Sequence, residues 1–177
     1  MAGRLNGKKV AMFVEYNYED LEVHYPLIRL EEEGAQVVTI GPEKDKKFTG
    51  KHGYPVTSKA GIGEVNAKDY DALVIPGGFA PDYWRRDKRY LQFVKDIFDE
   101  KKPLAAICHG PWMLCSAKIL KDQNIRCTSF IAIKDDVENA GGVWEDSAVV
   151  VDRNVITSRT PQDLTPFCKA IIEALSS

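Results

Sequence analysis

Chemistry in this chain concentrates at residues 103–111, Pro-Leu-Ala-Ala-Ile-Cys-His-Gly-Pro, where an apolar run enters Cys108 and is followed by His109, Gly110 and Pro111. The pattern is that of a strand, a tight turn and a helix start with a thiol at the turn, the arrangement of a nucleophile elbow. Gly110 is expected to permit the bend and Pro111 to open the helix. Backbone N–H groups at a helix start favour a thiolate and would lower the thiol pKa from its usual value of about 8.5. The alternative is a buried cysteine at a strand end, since cysteine is among the most buried residue types. A core cysteine does not require Gly-Pro after a turn, so the local pattern favours the nucleophile.

Two other segments carry residues that suit such a thiol. Ile75-Pro-Gly-Gly-Phe-Ala-Pro81 also follows an apolar run. Gly77 and Gly78 let backbone approach a reacting carbonyl, and the Gly78 and His109 amides together would form an oxyanion hole. Alone, the glycine pair reads as a turn. In Tyr16-Asn-Tyr-Glu-Asp-Leu-Glu22, Glu19 is placed either to exchange a proton with a thiol or to complement the positive end of a helix. Spacing by itself favours the helix start.

These segments need a frame. Short aliphatic runs at Lys9 to Val14, Gln36 to Ile40, Ala72 to Ile75, Leu104 to Ile107, Val149 to Val151 and Val155 to Ser158 read as buried strands. Between them Asp87 to Glu100 carries an apolar stripe at helical spacing, and Glu19 to Glu33 reads as a helix kinked at Pro26 and ended by Gly34. At the chain's end Thr160 is the expected N-cap, Pro161 the first helical residue and Asp163 the capping acid. Residues 48–57, with Gly50, Gly53 and Pro55, suggest a hairpin. The alternation predicts an α/β fold with a mainly parallel sheet, helices on both faces and a ligand site at the carboxyl ends of the strands.

With 177 residues, 24 Lys and Arg against 26 Asp and Glu and a net charge of −2, the chain has the size of a single domain and no basic excess of the kind that grips nucleic acid. The early apolar run is too short for a signal core or membrane span, so a cytoplasmic protein with no membrane partner is expected. Cys108, Cys115, Cys127 and Cys168 have no zinc or dithiol spacing and read as free thiols, three of them as packing residues. His24 and His52 show no metal-ligand spacing, and neither a metal nor a cofactor is expected. The run at Arg85 to Arg89 reads as a solvated helix start, and Trp84 and Trp112, which flank the glycine loop and the thiol segment, as packing.

Several ordered motifs then carry a resemblance: Tyr18-Glu-Asp-Leu-Glu22, Arg29-Leu30 through Glu33-Gly34, Thr49-Gly-Lys-His-Gly-Tyr54, Pro76-Gly77-Gly78 with Ala80-Pro81, Ala106-Ile-Cys-His-Gly-Pro111, Lys134-Asp-Asp136 with Asn139-Ala-Gly141, and Ser158-Arg159 with Pro161. Almost end to end the chain resembles PfpI-type intracellular peptidases, of the superfamily that includes the parkinsonism-associated protein deglycase and class I glutamine amidotransferase-like domains. The resemblance implies one flavodoxin-like three-layer sandwich over residues 1–177, working as a homo-oligomer. It implies Cys108 as nucleophile, Glu19 hydrogen-bonded to it, His109 as acid–base partner and an oxyanion hole near Gly77, Gly78 and the His109 amide. Family peptidases take a third catalytic acid, a glutamate, from a neighbouring subunit. Here Asp82, one methylene shorter, stands in that place. For His109 a backbone-only role stays open, because adjacent side chains meet one substrate only across a strained turn.

Three function classes follow. The first is a cysteine enzyme acting on peptide bonds or on reactive dicarbonyls and their protein adducts, with the shorter Asp82 favouring the carbonyl substrates. The second is a non-enzymatic stress protein in which Cys108 senses oxidation or an apolar oligomer face acts as a chaperone site. The third, an ammonia-supplying amidotransferase, is weaker because no histidine follows His109.

Overall fold

The computed structural model describes residues 3–177. In chain order the strands are β1 (Lys9–Phe13), β2 (Gln36–Gly41), β3 (Lys47–Thr49), β4 (Pro55–Thr57), β5 (Ala60–Gly61), β6 (Ala72–Ile75), β7 (Leu104–Ile107), β8 (Arg126–Cys127), β9 (Val143–Trp144), β10 (Val149–Asp152) and β11 (Val155–Ser158). The helices are α1 (Asp20–Glu32), α2 (Ala80–Trp84), α3 (Lys88–Asp99), α4 (Trp112–Ser116), α5 (Lys134–Asn139) and α6 (Leu164–Ser176).

Seven strands form the central sheet in the order β10-β11-β7-β6-β1-β2-β5, parallel throughout except for the β10–β11 pair. The middle strands Ala72–Ile75 and Leu104–Ile107 are buried at every position, as continuous apolar runs must be when helices cover both faces. α1 packs on α6, while α2 and α3 pack on α4. The chain runs outward from β1 to β2 and then crosses back to β6 on the other side of β1, so the topological switch lies between β1 and β6. Ligand sites in such sheets open at that point, beyond the carboxyl ends of the strands.

Local sequence explains most element ends. Asp87 caps α3 by accepting the Arg89 N–H, and Glu19 caps α1 by accepting the Glu22 N–H. α1 runs on both sides of Pro26 without a break. The β3–β4 hairpin occupies the expected stretch. The last helix starts differently from expectation: Pro161–Asp163 form a turn of 3-10 helix, Thr160 makes no side-chain cap, and α6 begins at Leu164. The Asp163 carboxylate is instead taken by the guanidinium of Arg159, at 2.9 and 3.1 Å. Among the described residues no helix is long and apolar enough to cross a membrane.

Candidate functional site

β7 delivers Cys108 to the carboxyl edge of the sheet, and the chain reverses there. The bend is at the cysteine itself, whose φ is +61°, a left-handed conformation that L residues adopt only under constraint. Two hydrogen bonds impose it: Cys108 N–H donates to Ser158 O at 3.1 Å, and its carbonyl accepts Phe130 N–H at 2.9 Å. Gly110, expected to make the bend, is needed for proximity instead, since a Cβ there would lie 2.5 Å from Ile75 O.

The strained turn settles how two adjacent side chains reach one site. Cys108 Sγ and His109 Nδ1 are 3.2 Å apart. The imidazole stacks on Phe130 and meets Trp112 edge-on, each at 5.1 Å between centroids. Trp112 is held in turn by its Nε1–H donating to Asp136 at 2.8 Å, which gives the Lys134-Asp-Asp136 motif a positioning role. Burial first, then the charge of Lys51, lowers the His109 pKa, so the ring is neutral near pH 7.

The glycine loop after β6 is stitched to the loop after β1. Tyr18 and Gly78 form an isolated antiparallel bridge, Glu19 N–H donates to Gly77 O at 3.3 Å, and Phe79 N–H donates to Asn17 O at 2.8 Å. Gly78 takes a φ of +74°. A Cβ on Gly77 would fall 2.7 Å from Glu22 Oε2, 2.8 Å from Cys108 Cβ and 2.9 Å from His109 N. Only a glycine lets these three groups meet. The amides of Gly78 and His109 both point at the Cys108 sulfur.

The carboxyl group facing the thiol is Glu22, not Glu19. Glu19 spends Oε2 on the helix cap, accepting Glu22 N–H at 2.9 Å, and its Oε1 lies 3.9 Å from His52 Nε2. It lines the cavity without bonding the thiol. Glu22 is fully buried, and its Oε2 accepts Gly77 N–H at 2.6 Å. Its Oε1 is buried with no hydrogen-bond partner, and the acidic groups nearest the carboxyl are Cys108 and Glu19. Burial above all, with the nearby Glu19 adding to it, pushes the Glu22 pKa up to about 8. The Cys108 thiol is also pushed up, by burial and then by the Glu22 charge, and the Gly78 and His109 amides offset only part of that. The expected lowering by a helix start is outweighed, and α4 is a helix of only five residues.

Other expectations resolve by position. Asp82 lies on α2 and is ion-paired with Arg86, and it is not among the residues lining the cavity. Trp84 is packed away with Phe13 and Tyr90. His24 Nε2 is 3.0 Å from Tyr18 Oη. Cys127 is on β8 and Cys168 on α6, both buried, and Cys115 is half-buried. Among the described residues no group of three or more His, Cys, Asp or Glu is gathered for a metal ion. Two contributors had no role assigned from the sequence, Glu22 and Lys51. Glu22 stands three residues after its N-cap, where an acid normally closes a capping box. Here only half of the box forms, because Glu22 turns its carboxyl to Gly77 and the thiol.

The cavity above the thiol measures about 470 Å³ and is lined by Asn17, Glu19, Lys51, Gly78, Cys108, His109 and Phe130 among others. That size suits a small molecule. Fold and site together define a mostly parallel α/β protein with a cysteine elbow at the carboxyl edge of its sheet. The chain belongs to the DJ-1/PfpI family, whose model matches residues 8–174. It is 44% identical over 168 residues to YraA of Bacillus subtilis, provisionally named a cysteine protease, covering 95% of this chain and 98% of that protein. It is 42% identical over 167 residues to deglycase PfpI of Pyrococcus furiosus, covering 94% and 99%. A crystal structure from Anabaena variabilis, a two-domain protein with DJ-1/ThiJ/PfpI-like and ferritin-like domains, matches at a TM-score of 0.92 and 41% identity over 95% of this chain. The match spans 48% of that longer chain.

Proposed function

We propose that this protein is a cysteine enzyme acting on reactive dicarbonyls or their protein adducts, with Cys108 as nucleophile and Glu22 as its proton partner. The observation that carries this reading is the convergence on Cys108, which lines one small cavity, of two backbone amides and of the Glu22 carboxyl, buried behind the cavity wall with its pKa raised by that burial. Sulfur adds to the carbonyl carbon, a C–S bond forms and the carbonyl π pair moves onto oxygen. The Gly78 and His109 amides receive that oxygen, and the proton shared by the thiol and Glu22 neutralises it. Hydrolysis or rearrangement of the adduct then returns the thiol. The name of the Pyrococcus relative supports the substrate class.

A second reading, a cysteine peptidase, is favoured by the 3.2 Å approach of His109 Nδ1 to the sulfur and by the name of YraA. It requires an acid such as Asp82 from a neighbouring copy, and within this chain Asp82 is engaged by Arg86. Methylglyoxal consumption and peptide cleavage by the wild type and Cys108→Ser separate the two. Methylglyoxal turnover should fall at least about a hundredfold in the variant, as expected when a nucleophile is removed. Equal turnover by both proteins would overturn the nucleophile assignment.

A further inference from the structure

We propose that the thiol cavity selects carbonyl compounds that also bear a carboxylate, such as 2-oxo acids, with the Lys51 ammonium as the counter-ion that orients them on Cys108. The proposal rests on the reading of Cys108 as a nucleophile toward carbonyls.

Lys51 sits in the turn of the β3–β4 hairpin and lines the same cavity as Cys108 and His109. Its backbone is fixed rather than loose. Lys51 N–H donates to Tyr18 O at 2.9 Å, and Gly50 N–H donates to Tyr54 O at 2.9 Å. The nearly buried Asp20 carboxylate accepts the His52 and Tyr54 N–H groups, each at 2.9 Å. A Cβ on Gly50 would run into that carboxylate at 2.5 Å, so the turn closes tightly on Asp20.

The cation so positioned is available. Among the described residues no carboxylate lies within 4.0 Å of its Nζ, although two glutamates stand close by. Glu19 is committed to the helix cap and lies beside His52, and Glu22 is buried and holds its proton near neutral pH. The Lys51 charge nevertheless reaches both groups that flank the sulfur, favouring ionised Glu22 and neutral His109. Lys51 is an exposed residue at the rim of a small cavity that also holds the Glu19 carboxylate, and an ammonium there with no carboxylate within 4.0 Å is placed to meet an anionic substituent of the substrate.

The test compares Cys108 alkylation by iodoacetate and iodoacetamide, followed by mass spectrometry of the Cys108 peptide. In both reactions sulfur displaces iodide and a C–S bond forms; the reagents differ in charge. Relative to free cysteine, the wild type should favour iodoacetate by at least about tenfold, the scale of one charge-assisted hydrogen bond. Lys51→Met should return the ratio to that of free cysteine, and Lys51→Arg should keep most of the preference. A preference that is absent, or unchanged in Lys51→Met, overturns the proposal, and so does a Cys108 that reacts with neither reagent. Inhibition of methylglyoxal turnover by glyoxylate, whose aldehyde carbon the Cys108 thiol can add to as a reversible hemithioacetal, against inhibition by the uncharged acetaldehyde tests the enzymatic reading separately, and glyoxylate should be the stronger inhibitor. If methylglyoxal is not consumed while the alkylation preference follows Lys51, the carbonyl-enzyme reading fails and the anion site stands.

Discussion

Glu22 presses a fully buried carboxyl group against the Cys108 thiol, with one of its oxygens tied to the Gly77 amide at 2.6 Å. Two acidic groups placed together out of water cannot both ionise readily, so the Glu22 charge raises the pKa of the thiol. At neutral pH the pair carries one proton fewer than its maximum at most. That state suits a nucleophile that needs a proton donor beside it.

A pair coupled in this way titrates in two steps that belong to the pair rather than to either residue. The pH profile of Cys108 alkylation should therefore be broader than a single titration in the wild type and collapse to one step in Glu22→Gln. Removing the donor should also lower carbonyl turnover by roughly a hundredfold, the usual scale of general acid catalysis. Stopped-flow alkylation and steady-state kinetics across pH 5 to about 10 check both. An unchanged profile would separate the two residues functionally.

The same shift makes a statement about stability. Glu22 titrates near 8 in the folded protein against an ordinary value of 4.5, so the folded state binds its proton more tightly. The stability it contributes is fully present below 4.5 and is lost as pH rises through 8. Glu22→Gln, which is neutral at every pH, should flatten the fall in Tm over that window. Parallel Tm curves for the two proteins would contradict the shift.

Gly77→Ala should damage both fold and site. The added methyl would lie under 3.0 Å from Glu22, Cys108 and the His109 backbone, none of which has room to retreat. Overpacking of this kind costs about 1–3 kcal/mol. Chemical denaturation should show a lower midpoint, and alkylation of Cys108 should change even where the protein stays folded.

Asp82→Ala discriminates the two functional readings. Its ion pair with Arg86 is on the surface and contributes no more than about 1 kcal/mol, so the fold should survive. Turnover of dicarbonyls should stay within about threefold of wild type, a difference below 1 kcal/mol. A much larger loss of peptide cleavage in the same variant would mean that Asp82 reaches a neighbour's active site.

The sheet was legible in the sequence because its strands are short aliphatic runs separated by helical stripes, and burial on both faces demands that pattern. Cys108 was legible because a thiol between an apolar run and Gly-Pro has few structural uses. The sequence by itself singled out Cys108, the glycine loop and the family. It did not show which residue would bend: the φ of +61° falls on Cys108 because Ser158 and Phe130, both far along the chain, bind its amide and carbonyl. Nor did spacing separate Glu19 from Glu22. Both are acids at the start of one helix, three residues apart, and only the packing of α1 against the β6 loop turns one toward the helix N–H groups and the other toward the thiol. Tertiary structure also reversed the expected thiol shift. Helix starts act through a few exposed N–H groups, whereas burial beside a carboxyl group depends on how far the fold excludes water, which no local sequence encodes.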